Sequence, residues 1–126
     1  MAIKDERKVE RFIRKRRWKI RTKNFKTYFS NPADQHCNGG ITYCEKTVYI
    51  NSNLRRGSRK RLYVLLHEAG HMLAARLGFA QTHLPNTRRD LRTQERYAAL
   101  LGLALAQHLK INVPRNVWRS FNWEVE

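Results

Sequence analysis

Nine residues, Leu65-Leu66-His67-Glu68-Ala69-Gly70-His71-Met72-Leu73, constrain this chain more than any other stretch, because they place the pattern H-E-x-x-H inside a run that reads as helix. Residues four apart on a helix lie one turn above each other, so the imidazoles of His67 and His71 project from one face and can share a metal ion. Glu68 stands one step round. There it is placed to take a proton from a metal-bound water rather than to bind the metal. Five His and seven Glu in 126 residues would produce the pattern by shuffling in roughly one chain in a hundred. Leu62, Leu65, Leu66, Ala69 and Leu73 form an apolar stripe away from the histidines, and Val64, Gly70 and Ala74 keep the histidine side apolar or small. A helix of that kind is buried. Burying two His and a Glu is costly without a purpose, and zinc supplies one.

One domain is expected over 1–126, large enough for one core. No apolar stretch reaches the length of a membrane span, and the N-terminus is charged where a secretory signal is apolar, so the reading is a cytoplasmic protein. Cys37 and Cys44 are too few for a disulfide framework and read as reduced thiols. His36 beside Cys37 has no second Cys or His pair nearby, so no second metal site is expected. The net charge of +16 favours polyanionic partners. Residues 1–26 hold twelve Lys or Arg against three acids. Two further clusters are Arg55, Arg56, Arg59, Lys60 and Arg61, and Arg88, Arg89, Arg92 and Arg96. Such faces are also often simply solvated.

In chain order, Val9, Phe12, Ile13 and Ile20 fall on one face of an amphipathic helix from Lys4 to about Ile20, within a basic N-terminal segment 1–30. Trp18 lies off that stripe and is expected to pack on a neighbouring loop. Asn24 to Phe29 reads as a short strand, and Ser30 to Asp34 as a turn. Ile41–Cys44 and Thr47–Ile50 read as two antiparallel strands. The H-E-x-x-H helix starts after Ser58 as N-cap and stops at Gly78. A loop with Pro85 leads to a second helix from about Asp90 to Leu109. Its stripe of Leu91, Ala98, Gly102, Leu105 and Leu109 has Glu95 at its centre. A carboxylate there needs a compensating charge, which either zinc or an arginine could supply. Residues 110–126, with Val117, Trp118, Phe121 and Trp123, read as a tail packed on the domain. The fold class expected is α+β: a small antiparallel sheet on the buried H-E-x-x-H helix, a second ligand-bearing helix and an N-terminal amphipathic helix.

The succession of a strand pair, Ile50-Asn51, Leu54, Arg61, Leu65-Leu66-His67-Glu68-Ala69-Gly70-His71 and then Glu95-Arg96-Tyr97-Ala98 resembles the ImmA/IrrE-type zinc metallopeptidases over residues 38–109. That resemblance implies one Zn2+ held by His67, His71 and Glu95, with Glu68 as the catalytic base. It also implies a protein substrate, since members are regulatory proteases, often of phages and mobile elements, that cleave repressors or transcription factors. This chain departs from the family in being minimal and very basic, which is compatible with work near nucleic acid. The metzincin pattern is excluded by Ala74 and Leu77 where Gly and His would stand. An SprT-like protease acting on DNA-attached proteins would use His83 as third ligand, and a zinc-stabilised binding module without activity is the other alternative. Tyr97, His83 and Arg61 are the candidates for steadying an oxyanion.

Overall fold

The computed structural model describes residues 2–78 and 88–117. The chain forms two compact units, one to Leu65 and one from Leu66, with the boundary inside a helix. Among the described residues the fold is α+β, with five helices and one three-stranded mixed sheet. No described helix is long and apolar enough to cross a membrane.

Helix α1 (Ala2–Lys15) buries Val9 and Ile13 completely. It stops earlier than the apolar periodicity suggests. Arg17 turns left-handed at φ 64, its N–H donates to the carbonyl of Arg14, and the Trp18 N–H donates to that of Ile13 at 3.4 Å. This is a Schellman closure in which arginine occupies the position usually taken by glycine. Trp18 and Ile13 are both buried at its end, and Trp18 meets the Tyr43 ring edge-on, as the expected packing role requires.

Beyond the cap, Lys19–Lys23 is a strand, β1, so Ile20 belongs to the sheet and not to the helix. Within the expected strand Asn24–Phe29, residues Phe25–Tyr28 are helical and only the two flanking residues are extended. Asn24 caps the single turn α2 (Phe25–Tyr28), its Oδ1 accepting from the Lys26 N–H, and this local bond outweighs the β propensity of the aromatics. A second helical turn, α3 (Pro32–Gln35), overlaps the turn expected at Ser30 to Asp34. Strands β2 (Gly39–Thr42) and β3 (Thr47–Asn51) pair antiparallel as expected, with Thr42 opposite Thr47. Strand β1 then adds parallel to β3, giving the order β1-β3-β2, so the sheet is mixed and not antiparallel. Every residue of β3 is buried. Cys37 and Cys44 are exposed thiols rather than a disulfide.

Two members of the central basic cluster pair with acids of α1, Arg61 from a buried position and Arg56 from the surface. Arg56 places Nη1 and Nη2 3.2 and 3.0 Å from the two carboxylate oxygens of Glu10, a bidentate pair that raises the guanidinium pKa further. Arg61, 3% exposed, has Nε 2.9 Å from Oε1 of the fully buried Glu6, and its Nη2 donates to Thr22 Oγ1 on β1 at 3.1 Å. The Arg61 Nε–H is not aimed at Glu6, so that contact is an ion pair without a hydrogen bond. These pairs join α1, β1 and the start of α4. Arg61→Ala is expected to destabilise the chain by about 3 kcal/mol by leaving buried Glu6 with only the more distant Arg56 Nε, at 3.7 Å, as counter-charge, while Glu6→Leu with Arg61→Met recovers most of the loss. Urea unfolding of both variants checks this, and an unchanged midpoint for Arg61→Ala alone would rule it out.

Helix α4 (Arg59–Arg76) begins as expected: Ser58 Oγ accepts from the Arg61 N–H. It ends at Gly78, left-handed at φ 80, whose N–H donates to the Ala75 carbonyl. Helix α5 (Arg88–His108) closes at Lys110, φ 59, with the N–H of buried Ile111 reaching the Ala106 carbonyl at 2.8 Å. Val113 is also buried. The loop with His83 and Pro85, and the tail residues Trp118, Phe121 and Trp123, lie outside the described residues.

Candidate metal centre

The second unit contains the C-terminal part of α4 and the whole of α5, and the four residues singled out in the sequence all lie in it. Their placement follows from two helices with little side-chain volume between them. A Cβ on Gly70 would overlap the carbonyl oxygen of Ala98, and one on Gly102 would sit 2.8 Å from the carbonyl oxygen of Leu66. The backbones therefore touch at these glycines. Leu66, Ala69, Met72 and Ala74 on α4, and Ala98, Ala99, Leu103, Leu105 and Ala106 on α5, are buried. Small residues set the helices close enough for one turn of each to face the other across the site.

His67 and His71 stack one turn apart with ring centroids 4.9 Å apart and planes almost perpendicular. Across from them, Glu95 divides its carboxylate: Oε2 lies 2.8 Å from His67 Nε2, and Oε1 lies 3.2 Å from His71 Nε2. Both imidazoles thus present the same nitrogen to the same group, each donating to one oxygen. One ligand atom from each of the three residues lies within 4.8 Å of the others. Burial alone would raise the Glu95 pKa. The hydrogen bonds from His67 and His71, and their positive charge when protonated, win and hold the carboxyl far below the usual range. Among the described residues, the counter-groups that Glu95 meets are the two histidines.

Two imidazole nitrogens and one carboxylate make a donor set that could bind a metal ion. The convergence also passes a physical test. Both Nε2 atoms meet the Glu95 carboxylate, and a cation held by these three residues could replace the two imidazole protons as its positive partner. Three ligands of this kind can bind a metal ion.

Glu68 is 6% exposed. Its pKa is raised, first by burial and then by the Glu95 charge, against the opposing pull of His71 and His67. Burial thus favours the neutral acid of Glu68.

Of the three residues considered for an oxyanion, Arg61 is committed to Glu6 and Thr22. Tyr97 lies two residues beyond Glu95, about 200° further round the helix, and is partly exposed. His83 lies outside the described residues. The feature the sequence reading missed is the pair of glycines. Gly102 reads as one more small residue of a stripe, and its close approach becomes visible only when both helices are placed. No protein-family model, curated protein or solved structure matches the chain.

Proposed function

We propose that this protein is a zinc-dependent peptidase of the H-E-x-x-H type, with His67, His71 and Glu95 as metal ligands and Glu68 as the general base. The observation that carries the reading is the convergence of two imidazole Nε2 atoms on one carboxylate, next to a buried acid on the same helix. Its likeness to the ImmA/IrrE-type pattern supports a protein substrate, and the basic first unit is compatible with action near nucleic acid.

In this reading His67 and His71 bind as neutral imidazoles, so their Nε2 protons leave when the cation enters. Glu95 supplies the one negative ligand. Zinc, when bound, lowers the pKa of a coordinated water toward ~7 and polarises the scissile carbonyl. Glu68 accepts the proton of the attacking water, holds it in a pocket that favours the neutral acid, and delivers it to the departing amine.

Metal analysis tests the ligand set. Protein purified without chelator is expected to carry about one equivalent of zinc. His67→Ala should lose it, and Glu95→Gln should weaken zinc affinity by more than the 10- to 100-fold typical of residues that only support a ligand. If Glu95→Gln keeps its zinc while His83→Ala loses it, the third ligand is His83 and the SprT-like arrangement replaces this one. Less than about half an equivalent in the wild type would remove the metal reading altogether.

A further inference from the structure

The positive charge is unevenly divided. Residues 1–65 contain 18 Lys or Arg against five acids, whereas residues 66–126 contain eight against five. Three acids of the first unit are spent internally: Glu6 and Glu10 are buried under Arg61 and Arg56, and Asp5 pairs with Lys8. Asp34 and Glu45 are left to balance the remaining cations.

The missed strand β1 decides where part of that charge goes. Side chains alternate along a strand, so Lys19, Arg21 and Lys23 share one sheet face while Ile20 and Thr22 share the other. The parallel register sets Arg21 beside Tyr49 and Lys23 beside Asn51. Tyr28, from α2, lies over Tyr49 on this face with ring centroids 5.8 Å apart, and the Lys23 Nζ sits 5.2 Å from the Tyr28 centroid. Tyr28 is 49% exposed. At the ends of β1 and β3, past Lys23, opens a cleft of about 410 Å3 lined by Lys26, His36, Ser52 and Asn53, among others. That volume is typical of small-molecule sites. The face thus offers a row of cations about 6.6 Å apart along an extended strand, a half-exposed aromatic ring and a polar cleft at the end of the row.

We propose that this face, Lys19, Arg21, Lys23 and Tyr28 with the adjoining cleft, binds single-stranded nucleic acid. Phosphates neutralise the β1 cations. An unstacked base takes the Tyr28 ring, from which Lys23 swings to a phosphate, and the cleft with Lys26 and His36 receives the next nucleotide. A duplex engages the cations but has no free base for Tyr28, so single strands are favoured. The proposal does not rest on the peptidase reading.

The test is fluorescence anisotropy of the full chain with labelled oligo-dT and oligo-U of about 15 nucleotides, and with a duplex of the same length, at two salt concentrations. Both single strands are expected to bind more tightly than the duplex. A sugar preference between the two strands is read from the same data. Tyr28→Ala should weaken single-strand binding by roughly 5- to 150-fold and duplex binding less than twofold, with Tyr28→Phe close to wild type. Arg21→Gln with Lys23→Gln removes two cations of the face, and with them the Lys23 contact on Tyr28, and should lower the salt slope by about 1.4. Chelator should change neither binding value, which separates failure here from failure of the metal site. Tighter binding of the duplex, an unaffected Tyr28→Ala that keeps the wild-type circular dichroism, an unchanged salt slope in the double variant, or capture of acidic peptide or anionic vesicles in place of the oligonucleotides would each overturn the proposal.

Discussion

Glu68→Gln is expected to abolish peptide cleavage, keep the zinc content of the wild type and make the metal-free protein more stable at neutral pH. The amide has the shape of the carboxylate but cannot accept the proton, and general-base catalysis of this kind is worth about 10²- to 10⁴-fold. Zinc should persist because Glu68 is not among the three converging ligands. The stability effect follows from the raised pKa, caused chiefly by burial. A carboxyl whose folded pKa exceeds its unfolded value binds its proton more tightly when folded. Its contribution to stability is therefore intact below the unfolded value of about 4.3 and is lost as pH rises through the folded value. At pH 7 the metal-free wild type carries that loss and the Gln variant does not. At pH 4 the two should melt alike. Newly formed peptide ends in a cell extract, zinc content, and melting with chelator at the two pH values check the three parts. Identical cleavage patterns for wild type and variant would turn the enzyme reading into one of a zinc-stabilised binding module. A chelated wild type more stable than Glu68→Gln at pH 7 would show that the carboxylate is compensated by something other than metal.

The residues that speak through local rules were legible in the sequence. Ser58 and Gly78 bracket α4 because a hydroxyl accepts from the first-turn N–H groups and glycine takes the left-handed turn without penalty. His67 and His71 face one way because of helical pitch, and Glu95 was marked by being a carboxylate on an apolar stripe. What stayed hidden depended on partners far along the chain. Arg17 ends α1 in a conformation that favours glycine, so nothing in the local pattern warns that Ile20 has left the helix. Lys19–Lys23 is too polar to read as a strand alone, and it forms because β3 offers a parallel edge. With β1 unread, no aromatic-and-basic surface could be assembled from Tyr28 and the lysines. By sequence alone, the cluster Arg55–Arg61 reads as one basic face for a polyanionic partner, or simply as a solvated one. Two of its members, Arg56 and Arg61, instead neutralise Glu10 and Glu6, whose burial on α1 is a tertiary fact.

That division gives the +16 charge two separate physical roles. The arginines paired with Glu6 and Glu10 tie α1 and β1 to the start of α4 and the residues before it, and their loss is expected to be read in unfolding. The outward cations on β1 cost the fold little to change, and under the nucleic-acid proposal their loss should be read in salt-dependent binding. A single charge-neutralising series along the chain would therefore sort into two classes of phenotype. Mapping those classes onto Arg56 and Arg61 on one side, and Lys19, Arg21 and Lys23 on the other, would test the structure residue by residue.

Gly70→Ala is expected to destabilise the protein by at least ~2 kcal/mol and to weaken zinc binding with it, against the usual sign for this substitution. In a helix interior alanine is ordinarily better than glycine by about 1 kcal/mol, so helix propensity predicts a gain. Here the new methyl would occupy the place of the Ala98 carbonyl oxygen, with the Gly102 N 3.0 Å away. Those are backbone atoms of α5 and have no alternative rotamer. The helices must move apart, and α5 carries Glu95 one turn before Ala98, while α4 carries His67 and His71 on either side of Gly70. Separation therefore pulls the carboxylate away from the two imidazoles that now lie 2.8 and 3.2 Å from it. Gly40→Ala is the control: its Cβ would meet nothing within 4 Å, so its melting temperature should stay near that of the wild type. Gly102→Ala should fall between the two, since its Cβ approaches only the Leu66 carbonyl, at 2.8 Å. Thermal melts and competitive zinc titration of the three variants give the ranking. If Gly70→Ala melts with or above the wild type and binds zinc equally well, the close crossing of α4 and α5 is not what holds the three ligands together.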